Sequence, residues 1–553
     1  MPPSRARGGD WAPLAVAAVF SALGYLWLDQ HGVALSRDST HYLGVAVDLR
    51  FAGFELPAEP AYPIGYPLLV AQLMRFEPFA ADAARTLSWL SYVLLISCAA
   101  ALFRRVADPL PASLGVAVLA TLPPIVAQHG YALSGAPFGA LIQLHVLLVA
   151  LHARARGRSR TAWLAAAAAT LGLATIVRVI GYAGIVVFTG YVLWLAIDLR
   201  RRPHELAALL LPHSLCYLPP LSIALAYSVI GRPVHGYRGG SQEAFGLNVE
   251  RAIEALTLDL GAMLLVPVLL GIGLFAWRVL RRDAEAAPDL RPPVAVPVGY
   301  AVAMLVVYLC AIVAAATLTK VSPVGSRFFA PYYGLVLVVV LGAAGLAPLR
   351  ARRAISLAVS LALLAVVVSS AREIEAGHRS LARIAAGRPF HFQQGFAASS
   401  SARPLRDFLG ELGRGDESTS LSVLAPLPRR GHHKEGARSL LFVRDALASP
   451  VESARFERLG PGRWRLRLGD APEQAGLLYL GLPLDSETDL TIERTLAAVV
   501  QVMAASSRAS HWLLVPAQVD AIQHVTAIEG VPLRVAERRE LGAYRGYRFA
   551  LAR

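Results

Sequence analysis

Stretches of about twenty residues with almost no charge recur from Trp11 to Ser370, and each is long enough to cross a ~30 Å hydrocarbon core as a helix. This recurrence restricts the fold more than any other feature. A chain that crosses a bilayer must pair its backbone groups without water, which leaves helices or a closed barrel. Only 16% of the 553 residues are charged and 55% are hydrophobic, against about a quarter charged in an ordinary soluble chain. The chain reads as a mainly α, polytopic membrane protein. After Ser370 the composition turns polar, so two parts are expected: a membrane domain over residues 1–371 and a soluble α/β domain over 372–553.

The apolar stretches are Trp11–Leu28, then 83–103, 111–131, 136–153, 162–178, 180–198, 206–230, 261–280, 294–317, 329–348 and 353–371, eleven spans in all. Arginines test that series. Arg104/Arg105, Arg154/Arg156/Arg158/Arg160, Arg200/Arg201/Arg202, Arg278/Arg281/Arg282 and Arg350/Arg352/Arg353 fall in every second connection. The positive-inside rule requires this pattern if the N-terminus is cytoplasmic, and the odd number of spans then puts the tail on the extracytoplasmic side of the cytoplasmic membrane. Arg5 and Arg7 precede the first span, but no small-x-small cleavage site follows it, so it reads as a signal anchor. The net charge of +15 would suggest nucleic acid in a soluble protein. Here much of it lies in short turns between spans, and no nucleic-acid partner is expected. Residues 161–198 are too long for one span and carry Arg178 near the middle. Since a charge at the bilayer centre is costly, two short spans with Arg178 at the outer apex are expected. Cys98, Cys216 and Cys310 all lie in apolar spans, which leaves no disulfide framework and no metal–thiolate site.

With this topology the residues able to do polar chemistry share one face. The outer loop 30–82 carries Asp38, His41 and Tyr42, then a Pro- and Tyr-rich run with Tyr62 and Tyr66 that cannot continue a helix past Pro57. Arg178, the loop containing Arg238, and Lys320 with Arg327 come out on the same side. A carboxylate at the membrane boundary can serve as general base for a hydroxyl or bind a cation. Asp-Ser-Thr ahead of Tyr42 also suits helix initiation, so Asp38 has a capping alternative. His41 either hydrogen-bonds such a base or acceptor, or is structural. Tyr62 and Tyr66 are either sugar-stacking platforms or part of an interfacial aromatic belt. His432 and His433 lack neighbours at ligand spacing, so no metal site is assigned.

In the tail a polar helix is expected near 372–386, followed by short apolar runs at 421–427, 439–443, 464–468, 476–482, 512–515 and 533–536. Residues 489–507 have helical spacing, which points to layered α/β rather than all-β. Residues 544–552 are expected to close the sheet as an edge hairpin.

Several segments together resemble the GT-C superfamily of polytopic glycosyltransferases that use polyprenyl-phosphate sugars, including its protein mannosyltransferase and aminoarabinose transferase branches. They are Asp38-Ser-x-x-Tyr42 leading to Tyr62-Pro-x-Gly65-Tyr66-Pro, then Ser134-Gly-Ala-Pro137-Phe138, Gly172-Leu-Ala174-x-x-x-Arg178 and Arg327-Phe-x-x-Pro331. The resemblance covers roughly residues 12–370 and implies that Asp38 deprotonates the acceptor hydroxyl. It also implies that Arg178, Lys320 and Arg327 meet the departing lipid phosphate, and that His41, Tyr42, Tyr62, Tyr66 and Arg238 contact substrate. The implied partners are a polyprenyl-phosphate sugar donor, membrane lipids and a cell-envelope acceptor (glycan, lipid or protein). Many such proteins carry an acid where this chain has Gly135. A two-carboxylate site for a divalent cation is therefore in doubt, and no cofactor is assigned. The alternatives are a transporter or flippase for a lipid-linked saccharide, which would bury ionisable groups at the midplane of paired repeats, and a non-catalytic anchor with a partner-binding tail.

Overall fold

The computed structural model describes residues 11–31, 33–35, 37–51, 63–77, 80–199, 203–229, 247–254, 268–269, 271–273, 294–318, 326–347, 349–385, 396–398, 407–408, 419–427, 454–460, 463–468, 477–483, 510–516, 527–528, 531–541 and 544–551. Among them the chain runs through α1 (Ala12–His31), β1 (Ala34–Leu35), α2 (Arg37–Phe51), α3 (Gly65–Leu73), α4 (Ala80–Val106), α5 (Pro109–Thr121) and α6 (Pro123–Gly130). There follow α7 (Gly135–Arg154), α8 (Arg158–Val177), a 3-10 turn (Val179–Gly181), α9 (Tyr182–Leu199), α10 (Pro203–Ser214) and α11 (Leu218–Val229). Then come α12 (Ala295–Leu318), α13 (Ser326–Phe329), a second 3-10 turn (Ala330–Tyr332), α14 (Tyr333–Leu346) and α15 (Leu349–Ala385). Chain contacts separate two units. One is built from Met1–Asp29, Ala58–Tyr66 and Leu87–His378, the other from Gln30–Pro57, Pro67–Thr86 and Arg379–Arg553.

In the first unit, seven helices among the described residues are long and apolar enough to cross a membrane, and two bent helix pairs raise the number to nine. These nine coincide with nine of the eleven expected spans. Of the other two, the span expected at 329–348 is a shorter apolar helix, Ala330–Ala343, and most of the span expected at 261–280 lies outside the described residues. The expected hairpin within 161–198 is present as α8 and α9, with Arg178 between them. One bend, of 48°, separates α5 from α6, where Leu122 is extended (φ −62°, ψ 123°) because the ring of Pro123 disfavours the helical conformation before it. The other bend, of 50°, follows Pro212 and precedes Pro219 and Pro220. The turn from α7 to α8 passes through Gly157 at φ +57°, a conformation that side chains with a Cβ rarely adopt.

Several polar groups inside this unit are matched to one another across helices. His145 on α7 donates from Nδ1 to the Ala167 carbonyl on α8 (2.9 Å), which leaves Nε2 to accept from the Tyr300 hydroxyl on α12 (2.7 Å). The Tyr92 hydroxyl donates to the Ala120 carbonyl (2.9 Å), tying α4 to α5, and the Trp89 indole to the Ser21 carbonyl (3.2 Å), tying α4 to α1. Where water is excluded, a lost partner costs the full desolvation of the group left behind.

α15 is one helix of 37 residues. The last span and the polar helix expected after it are therefore continuous; no proline or glycine lies between Arg350 and Glu375 to break them.

In the second unit the described strands after β1 are β2 (Phe396–Ala398), β3 (Thr419–Leu427), β4 (Ala454–Gly460), β5 (Arg463–Leu468), β6 (Leu477–Pro483), β7 (Ser510–Pro516), β8 (Ala527–Ile528), β9 (Val531–Leu541) and β10 (Tyr544–Leu551). Eight of them form one sheet in the order β4-β5-β6-β3-β7-β10-β9-β8, with β3 parallel to both β6 and β7 and the rest antiparallel. Parallel neighbours need crossover connections, the mark of an α/β layer rather than a meander. The helix expected at 489–507 and the run at 439–443 lie outside the described residues. β10 does form a hairpin with β9, but it is an interior strand, because its other side pairs with β7; the edge is the two-residue β8. β4 was not expected from the sequence, since Ala454-Arg-Phe-Glu-Arg alternates apolar and charged residues too briefly to stand out. β1, from the first loop, pairs antiparallel with β2, matching Ala34 to Ala398 and Leu35 to Phe396.

The His145 pairing gives a first prediction. His145→Leu strands the Tyr300 hydroxyl and should destabilise the protein by ~1–3 kcal/mol, read as a lower thermal midpoint in detergent micelles. The double variant His145→Leu/Tyr300→Phe, with both polar partners gone, should recover much of that loss. A double variant no more stable than the single one would show that the pair does not act as a unit.

Candidate functional site

The end of α8 builds the site. Gly172, one turn and a half before Arg178, lies so close to the α10–α11 connection that a Cβ there would meet the Cys216 carbonyl oxygen at 2.8 Å. That contact fixes the helix against its neighbour. α8 then stops at Val177, and Arg178 is extended (φ −146°, ψ 131°). Its N–H still donates to the Ala174 carbonyl (3.0 Å), and its own carbonyl accepts from Gly181 (2.9 Å), so the break sacrifices no backbone hydrogen bond at Arg178. Gly181 is needed for this tight return, because a Cβ would lie 2.9 Å from Thr175 Cα.

The half-buried Arg178 guanidinium sits among aromatic rings, its central carbon 5.8 Å from the Phe138 ring centre and 5.9 Å from that of Phe328. Phe138 in turn lies 6.1 Å from Tyr332, and Tyr332 stacks on Tyr308 with ring centres 3.5 Å apart. The Tyr308 hydroxyl donates to the Phe328 carbonyl. That of Tyr332 is buried and has no partner among the described residues. Gly139 admits Pro331 at a distance (3.1 Å from its Cα) that leaves little room for a side chain. Gly65 does the same for α8: a Cβ there would fall 2.5 Å from the Ile176 carbonyl oxygen. Four segments that lie far apart in sequence thus meet at the turn bearing Arg178: Gly65 with Tyr66, Gly135–Phe138, Gly172–Arg178 and Phe328–Tyr332.

The remaining candidates are distributed as follows. Asp38, half-buried, lies in the first turn of α2, where the positive end of the helix dipole favours a carboxylate. Tyr42 is buried one turn further along the same face. These two belong to the second unit, and Tyr66 and Arg178 to the first. Tyr66 is fully buried. His41 is on α2 and Arg327 on α13, both placed by their backbone; Tyr62, Arg238 and Lys320 lie outside the described residues. Tyr308 and Tyr332 were missed in the sequence. Tyr332 follows Pro331 directly, and that adjacency was its only signal.

The residues at the second turn do not suit the cation site that the family resemblance implies. Gly135 offers no ligand, and the space in which a side chain there would begin holds the Gln128 carboxamide, with Nε2 2.1 Å from the position of a Cβ.

Glycine packing at this site is directly testable. Gly65→Ala should lower the thermal midpoint by the equivalent of ~1–3 kcal/mol, since the new methyl meets backbone. Gly190→Ala, in α9 with nothing within 4 Å of its Cβ position, should be neutral or stabilising. Equal effects of the two would argue against the close approach of Gly65 to α8.

No family profile matches this sequence, and no characterised protein resembles it significantly in sequence. Its fold does have counterparts among solved structures. The crystal structure of ArnT, an aminoarabinose transferase, from Cupriavidus metallidurans bound to undecaprenyl phosphate is similar over 98% of both chains, with a TM-score of 0.54 and 13% identity. The same protein in the apo state is similar over 97% of both chains, with a TM-score of 0.52 and 11% identity. The chain is a multi-pass membrane protein with the GT-C fold that its loop motifs imply.

Proposed function

We propose that this protein is an integral membrane glycosyltransferase that moves a sugar from a polyprenyl-phosphate donor to a cell-envelope acceptor. The observation that carries this reading is the convergence of four motif segments on Arg178, in a fold shared with a transferase crystallised with undecaprenyl phosphate. In the mechanism, the Asp38 carboxylate takes the proton of the acceptor hydroxyl as its oxygen attacks the anomeric carbon. The bond from that carbon to the donor's phosphate oxygen breaks, and the lipid phosphate leaves with the electron pair. Its developing charge calls for a fixed cation, and the guanidinium of Arg178, held by rings in a low-dielectric setting, meets that need. Lys320 and Arg327 are assigned the same role. His41, Tyr42, Tyr62, Tyr66 and Arg238 are assigned to substrate.

The same reading sets the protein in the cytoplasmic membrane with its N-terminus inside. Transfer takes place on the outer face, residues 1–371 forming the membrane domain and 372–553 an extracytoplasmic one.

Substitutions at two positions test it with a labelled polyprenyl-phosphate sugar. Asp38→Asn should cut transfer by ~10²–10⁴-fold at normal expression and unchanged melting behaviour. Arg178→Ala should cut it by ~10²-fold or more, with Arg178→Lys intermediate because it keeps the charge but not the planar fork. Wild-type transfer by the Asp38 variant would remove that residue from the chemistry.

A further inference from the structure

Gln128, near the end of α6, is only 9% exposed. The carboxamide nitrogen and carbon lie 2.1 Å and 3.0 Å from where a Cβ of residue 135 would be. The two positions are therefore coupled: the amide can occupy this place only because residue 135 is glycine. This is the turn in which the GT-C resemblance implies an acid. A neutral amide stands there instead, and it differs from a carboxylate in the way that matters. It cannot supply the negative charge that holds a divalent cation, but it offers two N–H donors to an oxyanion. Gly135 opens α7, and one turn along that helix Phe138 faces the Arg178 guanidinium at 5.8 Å. α6 itself packs against Ala330–Tyr332, the segment that supplies Tyr332. The amide of a nearly buried residue thus adjoins the cluster that holds the Arg178 guanidinium.

We infer that Gln128, accommodated by Gly135, is a phosphate-binding residue. Its N–H donates to an oxygen of the polyprenyl phosphate, and the charge of that phosphate is balanced by Arg178 rather than by a carboxylate-held metal ion. Lipid-phosphate binding by this chain is accordingly independent of divalent cations. The inference rests on the function proposed above and deepens it by naming a residue and a mode of charge compensation.

The test is equilibrium binding of undecaprenyl phosphate to the full-length protein in detergent, with EDTA and with added Mg²⁺ or Mn²⁺. Wild-type Kd should be the same in all three conditions. Gln128→Ala should weaken binding about tenfold or more, the loss expected for a hydrogen bond to a charged group. Gly135→Ala should weaken it similarly by displacing the amide, whereas the double variant Gln128→Ala/Gly135→Ala should be no weaker than Gln128→Ala, because the methyl then enters vacated space. Gln128→Glu, equal in size and opposite in electrostatic effect, should weaken binding more than Gln128→Ala does, and it decides the matter if the alanine variant fails to fold. Unchanged affinity in Gln128→Ala, additive losses in the double variant, or a wild-type protein that needs a divalent cation would each overturn the inference while leaving the glycosyltransferase reading intact. Folded wild-type protein that binds no undecaprenyl phosphate would overturn both.

Discussion

The break between α8 and α9 governs the membrane unit. A helix that ends inside or beside a bilayer exposes carbonyls and amides that have no water to turn to. Here the chain leaves the helix at a single extended residue whose amide and carbonyl are both bonded, to Ala174 and Gly181. The backbone is satisfied, so the side chain at that point is free of structural duty and can be a charged one. The aromatic surround of Phe138 and Phe328 then lets a guanidinium sit half-buried with no carboxylate paired to it among the described residues, which leaves its charge available. Glycines at 65, 172 and 181 are what bring the other segments close enough for this arrangement to exist.

Elsewhere in the unit the same rule acts through side chains. His145 is fixed in one tautomer by the Ala167 carbonyl and so becomes an acceptor for Tyr300, which joins three helices by a route that no hydrophobic contact specifies. Apolar packing between helices tolerates small rotations; a buried hydrogen bond across two of them does not, and it sets their register.

Much of this was legible in the sequence because a bilayer makes polarity a coarse and reliable signal. The hairpin around Arg178 followed from one charge in an overlong apolar stretch, and most of the spans followed from length and arginine placement. What escaped depended on contacts between distant segments. Nothing in Pro123-Pro-Ile-Val-Ala-Gln128-His marks Gln128 as the neighbour of Gly135, and Tyr332 reads as one more interfacial tyrosine until its ring is seen stacked on Tyr308. Glycine motifs were recognised as family-like, but their physical content, close backbone approach, is visible only in three dimensions. In the tail the short strands were found more often than their order. Parallel pairing of β3 with β6 and β7 brings together residues that local periodicity does not connect, and it turned an expected edge hairpin into the sheet interior.

The two-residue strand β1, just ahead of the Asp38 helix, is paired with β2, about 360 residues later in the chain. During synthesis at roughly 5–20 residues per second, the first loop therefore emerges and must wait on the order of 20–70 s before its partner strand exists. Until then neither strand has its mate, and two residues are too few to hold a sheet conformation alone. The segment that leads into the aspartate is thus completed late, after every described span has been made, so a ribosome-bound or prematurely ended chain would carry a fully threaded membrane unit and an unfinished loop.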